Sequence, residues 1–344
     1  MTRNFPLHAA LALGLALSLA VTAHAAEAAL PALKLDPART TVSGLSSGAY
    51  MAHQLHLAHS DRIAGAALIA GGPYHCAQGS LQTALASCMM PASGKGPDVQ
   101  ALASYATEAA AAGRIAPLSG LAGDRVLVLH GSADQTVAAS LSVATAALYR
   151  ALGAKAGHKP SIEEDLGRDF THTFPTLDSG ASCTTATAPY VGKCGFDAAG
   201  EILADLYGKP PHAAKAASGE LRTFDQDAFR PDGKDAFLAA EGYAYIPKAC
   251  AAGQVCALHI AFHGCQQNAD SVGKAFVSDA GYNRWADAYG VVVLYPQARA
   301  SMVPLNPKGC WDWWGYSGED YDSREGVQIQ AVAGMAGALG APLR

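Results

Sequence analysis

Short apolar runs alternate with segments of helical spacing along most of this chain. Residues 39–43 read as a strand and 49–60 as the helix that follows it. Residues 63–70 form a second apolar run, and 125–130 a third that ends in Gly131-Ser132-Ala133-Asp134. A helical stretch at 140–152 leads to a further strand at 161–165. Residues 176–200, rich in Ser, Thr, Gly and Pro, break the pattern and read as a surface loop insertion. Sheet building then resumes with 220–224, 242–246 and 257–262, the last ending in His263-Gly264-Cys265. A helix over 277–289, a strand over 291–295 and a helix over 324–339 complete the pattern. Apolar strands separated by helices predict an α/β architecture, with a mostly parallel central sheet and helices on both faces.

The first strand runs into Gly44-Leu45-Ser46-Ser47-Gly48. G-x-S-x-G is the nucleophile elbow, a sharp strand-to-helix turn that lifts a serine oxygen above the end of a sheet. Its glycines are needed because side chains there would collide with the neighbouring strand and helix. In an ordinary α/β-hydrolase much of the sheet precedes this turn, and here almost nothing does. The missing part lies downstream. An apolar strand ending in His-Gly, whose following loop donates an oxyanion-hole amide, arrives as 257–264, roughly 220 residues after Ser46. The expected fold is therefore a circularly permuted α/β-hydrolase, in which the sheet is kept in space and the chain is cut elsewhere.

A serine hydroxyl needs an imidazole to take its proton, and the imidazole needs a carboxylate to fix its tautomer. In this fold the order along the chain is Ser, then acid, then His. Asp134, just beyond a strand end, is the candidate acid, the alternative being that it caps the helix beginning nearby. His172, in Phe170-Thr171-His172-Thr173-Phe174-Pro175, is the candidate base. His158 competes, but Gly157-His158-Lys159-Pro160 reads as an exposed turn. The backbone N–H groups of Ser47 and Cys265 are the expected oxyanion donors. The rival reading of Cys265 as a nucleophile lacks a flanking acid–base pair. Cys310-Trp311-Asp312-Trp313-Trp314 concentrates three of the four tryptophans, and Trp311 and Trp313 are candidate substrate-binding walls. His53, His56 and His59 invite a metal reading. At three-residue spacing they step about 300° each time and do not converge on one point, so a solvated helix face is expected. No metal or cofactor is called for.

Residues 1–25 read as an export signal, with Arg3, an apolar stretch over 11–21, and Ala23-His24-Ala25 for cleavage. The apolar stretch is short for a membrane span, so no stable membrane anchor is expected. Residues 26–344 then form a single catalytic domain, periplasmic or secreted. Eight cysteines suit that compartment. They fall into neighbouring couples, Cys76 with Cys88, Cys183 with Cys194 and Cys250 with Cys256, leaving Cys265 and Cys310; sequence does not fix the connectivity. Without Arg3 the chain carries 23 basic and 29 acidic side chains and no basic block, which argues against nucleic acid as a partner.

These residues also resemble a known family, the poly(3-hydroxybutyrate) (PHB) depolymerase esterases, especially their single-domain, circularly permuted kind. The matching segments are 44–52, 70–76, 130–134, 172–176, 263–267 and Cys310-Trp311. The resemblance implies Ser46 as nucleophile, Asp134 as acid and His172 as base. It also implies Ser47 and Cys265 as oxyanion donors, with a tryptophan near Trp311 or Trp313 lining a monomer subsite. The implied substrate is a polyester or oligoester of 3-hydroxybutyrate. The elbow and His-Gly-Cys motifs also look like those of feruloyl and acetylxylan esterases, the alternative activity.

Overall fold

The computed structural model describes residues 1–2 and 29–343. The export signal expected over 1–25 lies outside the described residues except for its first two positions. Strand β1 (Leu35–Leu45) enters the elbow and α1 (Ser47–Ala58) leaves it. Next come β2 (Ile63–Ile69), α2 (Leu81–Ser87), α3 (Val99–Ala111), β3 (Arg125–Gly131), α4 (Ala139–Ala156) and β4 (Ser161–Arg168). A small second sheet of β5 (Phe174–Thr176), β6 (Ala181–Ser182) and β7 (Val191–Lys193) precedes α5 (Ala198–Tyr207). The chain then adds β8 (Glu220–Asp225), β9 (Glu241–Ile246), α6 (Lys248–Ala251) and β10 (Cys256–Phe262). It ends with α7 (Ala269–Val272), α8 (Ala275–Asp279), α9 (Tyr282–Tyr289), β11 (Val291–Tyr295) and α10 (Val327–Leu339).

The large sheet has the order β4-β3-β2-β1-β10-β11-β9-β8, parallel from β4 to β11, with β9 and β8 antiparallel at one edge. Numbered from β8 onward and carried round through β1, the strands lie in the order 1-2-4-3-5-6-7-8. This is the α/β-hydrolase sheet entered in its middle. The ends of the described chain explain how: the Leu33 N–H donates to the Leu339 carbonyl at 3.0 Å, so α10 finishes where the approach to β1 begins. A helix that would ordinarily run on into the elbow strand is here the last of the described elements.

Period-two alternation divides the strand side chains between two cores. Val42, Val126, Val128, Leu258, Ile260, Val292 and Leu294 pack on one face under α1, α3, α4 and α10. Ala67, Leu127, Leu129, Ala261, Val291 and Val293 pack on the other, under α5, α8 and α9. The sheet is buried on both sides, as a parallel sheet requires.

Three features differ from the sequence expectation. The helix over 277–289 is two helices, broken at Gly281, whose φ of +97° suits glycine. The 176–200 segment is more than a surface loop: Val191 is fully buried, and the segment carries β6 and β7. Helix α1 is buried on every side, so His53, His56 and His59 are not on a solvated face. His56 bonds Asp124 through Nε2 at 3.0 Å and the Tyr149 hydroxyl through Nδ1 at 2.8 Å. His53 stacks on Tyr149 at 4.5 Å between ring centres.

Candidate active site

Ser46 occupies the sharp turn between β1 and α1 with φ +58° and ψ −122°, a conformation a non-glycine residue holds only under constraint. The constraint is on both sides. The Ser46 N–H donates to the Ile69 carbonyl of β2 at 2.9 Å. A Cβ on Gly44 would lie 2.1 Å from the Gly48 carbonyl oxygen, and one on Gly48 would lie 2.4 Å from the Phe262 carbonyl oxygen of β10. Substitution at either glycine forces the crossing segments apart.

Asp134 follows β3, its N–H bonded to the Gly131 carbonyl at 3.0 Å. Its two carboxylate oxygens divide their work. Oδ1 accepts from the amides of Thr136 (2.7 Å) and Val137 (3.0 Å), and Oδ2 meets His172 Nδ1 at 2.7 Å. Asp134 does not cap the following helix, which begins at Ala139 behind Ala138 with no side-chain cap; its Oδ1 instead fixes the turn that leads there. Burial alone raises the Asp134 carboxyl, but the bond and charge of His172 and the two amides outweigh it and hold the group below its ordinary value. An ionised carboxylate only accepts, so His172 carries its proton on Nδ1 and leaves Nε2 free. His158 is exposed on the turn before Ser161, which pairs with Arg125 at the start of β3, the end of the sheet away from Asp134.

On the other side of Ser46, β10 runs beside β1 with Phe262 opposite Gly44, delivering His263-Gly264-Cys265 to the elbow. A Cβ built on Gly264 would lie 3.5 Å from the Ser46 Cβ. Gln267, which the sequence reading did not single out, braces this loop: its Oε1 accepts from Gly264 N–H at 2.7 Å, and its Nε2 donates to the Tyr190 carbonyl at 2.7 Å. The Gln266 N–H donates to the Lys308 carbonyl at 2.7 Å, and a disulfide joins Cys265 to Cys310. Ser47 is buried, and its hydroxyl accepts from the Trp311 N–H at 3.3 Å.

Between these two sides lies a cavity of about 400 Å³ that contains Ser46, His172 and Cys265. Tyr50, Leu81, Leu85, Met89, Trp313 and Trp314 give it an apolar wall. Trp313 stacks on Tyr50 at 4.4 Å and meets Trp314 edge-on at 5.5 Å. Trp311 is not part of this wall. It is fully buried, edge-on to Phe262 at 4.9 Å and beside His263, so it supports the β10 loop from beneath. Trp314 takes the place on the cleft that the sequence reading gave to Trp311. The wall is fixed by buried Asp312, whose Oδ1 accepts from the amides of Trp314, Gly315 and Tyr316 and whose Oδ2 accepts from Ser317.

Disulfides join Cys76 to Cys88, Cys183 to Cys194 and Cys250 to Cys256 as well. The first packs against Tyr50 and Trp313 behind the wall. The second lies beside the His172 loop, where the Cys183 carbonyl accepts from the Thr171 N–H and hydroxyl. No cluster of three or more metal-ligating side chains occurs among the described residues. No helix among them is long and apolar enough to cross a membrane.

An elbow serine on such a sheet, flanked by a His–Asp pair and a glycine loop, defines the α/β-hydrolase class. Residues 241–338 match the family described as Esterase PHB depolymerase. The chain is 35% identical over 337 residues to the polyhydroxybutyrate depolymerase of Talaromyces funiculosus, covering 91% of this chain and 93% of that protein. It is 38% identical over 342 residues to the poly(3-hydroxybutyrate) depolymerase of Delftia acidovorans, spanning 97% of this chain and 66% of that protein's length. A PHB depolymerase variant solved with an R3HB trimer superposes with a TM-score of 0.80 at 33% identity, over 91% of this chain and 98% of the other. The Penicillium funiculosum PHB depolymerase gives 0.77 at the same identity and coverage. The chain belongs to the PHB depolymerase esterase family.

Proposed function

We propose that this protein is an exported serine esterase that hydrolyses ester bonds of poly(3-hydroxybutyrate) or its oligomers. The observation that carries the reading is the 2.7 Å Asp134–His172 pair in the cleft that also holds the elbow serine. His172 Nε2 takes the Ser46 proton as Oγ attacks the ester carbonyl. The oxyanion that forms is held by the N–H groups of Ser47 and Cys265. His172 then protonates the departing hydroxy end, and water, activated by the same imidazole, cleaves the acyl-enzyme. Asp134, kept ionised, holds the Nδ1 proton and stabilises the imidazolium throughout.

The apolar and aromatic cleft suits an uncharged aliphatic chain with small side groups, and the trimer bound by a similar protein supports that class. Incubation with amorphous PHB film, with 3-hydroxybutyrate trimer and with feruloylated xylan tests the assignment. Release of 3-hydroxybutyrate units from the first two is expected. Ferulate release with no 3-hydroxybutyrate would reverse it in favour of a carbohydrate esterase. Export is supported by the 1–25 pattern and by four disulfides. Terminal sequencing of the secreted protein should read from Ala26, and an intact Met1 in the product overturns the cleavage.

A further inference from the structure

Among the described residues lining the cleft, Lys308 is the one lysine or arginine, and there is no aspartate or glutamate. The Lys308 main chain is fixed from both sides. Asn306, buried, accepts from the Cys310 N–H and donates to the Cys310 carbonyl, each at 2.9 Å. The Lys308 carbonyl holds the Gln266 N–H at 2.7 Å, one residue from the oxyanion-loop disulfide. The side chain itself is exposed. Nearby Arg299 is matched by Asp235, whereas Lys308 has no carboxylate partner among the described residues.

We propose that Lys308 is a specificity-determining residue that receives the terminal carboxylate of short oligoesters. The proposal rests on the esterase reading and deepens it. A 3-hydroxyalkanoate chain is neutral along its length; its one charge sits on the acid end, and each cleavage creates another. The protein carries a net charge of −5, so an anionic oligomer meets overall repulsion. A lysine at the cleft reverses the sign locally, within a screening length of about 8 Å at physiological salt. A mobile ammonium, unlike a guanidinium fork, accepts a carboxylate whose position shifts with oligomer length. Acid-ended oligomers thereby gain over capped or chain-internal segments, and the acid products compete for the same charge.

The test compares the full chain with Lys308→Gln and Lys308→Glu on 3-hydroxybutyrate trimer as free acid and as methyl ester. At low salt, the ratio of the free-acid KM to the methyl-ester KM is expected to rise about two- to five-fold in Lys308→Gln, the range for one exposed ion pair. It should rise further in Lys308→Glu, and added salt should shrink the difference between parent and variants. A ratio left where it was, including a parallel rise of both constants, overturns the role of Lys308 and leaves the esterase reading standing. A parent that cleaves neither trimer while folded overturns the esterase reading, and this proposal with it.

Discussion

The two sides of the cleft are built by different means. Asp134 and His172 come from the first part of the chain, and the Asp134 carboxylate is held by two amides on one oxygen and an imidazole on the other. The Cys183–Cys194 disulfide reaches the His172 loop indirectly, through the bonds of Thr171 to the Cys183 carbonyl. The Gly264–Cys265 side comes from the last third and is tied by a disulfide, a glutamine spanning two loops and an asparagine clamp. The difference follows the chemistry proposed for each. A base that accepts and returns a proton needs a fixed tautomer with some freedom of the ring. Oxyanion donors act through distance alone and lose their effect when they wander.

The comparison breaks most visibly at its centre. Ser46→Ala should lower kcat by about 10⁶ with folding intact, and adding His172→Ala should cost nothing further, because the two act as a unit. Comparable turnover by the single variant would remove Ser46 from the mechanism. Asp134→Asn keeps the shape but admits the wrong tautomer, and kcat should fall about 10⁴-fold. On the opposite side, Gln267→Ala strips a partner from the Gly264 amide and should cost about 1–3 kcal/mol, read as a fall in kcat of about five- to 150-fold with little change in KM. A KM-dominated effect would make Gln267 a substrate contact instead.

Smaller effects sharpen the contrast in stability. The Cys265–Cys310 bridge closes a separation of 45 residues, so Cys265→Ser with Cys310→Ser should lower unfolding free energy by up to about 4 kcal/mol in denaturant titration. Three histidines away from the His172 pair set the acid limit. Burial pushes His53 and His259 down to about 3 and His263 down to about 4, so all three are neutral in the folded state. Their unfolded pKa is higher, so stability is complete above about pH 6.5 and falls as the pH drops toward the folded values. Each contributes a loss of about 2 kcal/mol by about pH 5. His53→Gln should flatten that slope; an unfolding midpoint level from pH 7 to 5 would refute it.

Strands were legible because a sheet buried on both faces needs uninterrupted apolar runs, and 291–295 coincides with β11. The permutation was legible because His263-Gly264 follows a strand far too late for an ordinary order. Helices α2, α3 and α5 passed unnoticed, α3 because a run of alanines gives little contrast between faces. The α1 histidines were misread because spacing reports which residues share a helix face. It does not report whether a second layer covers that face, and the covering Tyr149 and Asp124 are far away in sequence. Trp311 and Trp314 were exchanged for a related reason. The 310–314 segment is neither helix nor strand, so no period fixes which ring faces inward. Gln267 and Asp312 lie inside segments the sequence picks out, but nothing in those segments assigns them a role; their roles exist only in the amides that converge on them.

The pairing of β1 with β10 bears on synthesis as well as on catalysis. When the ribosome has released the elbow and its flanking β2, one margin of β1 is still an open row of amides and carbonyls, and it stays so until residue 262 has emerged. A nascent chain in that condition is a template for the wrong neighbour. Relocating the break to the exposed stretch between α5 and β8, with a short tether from 343 back to 29, would let β10 be made first and should raise the yield of refolded protein.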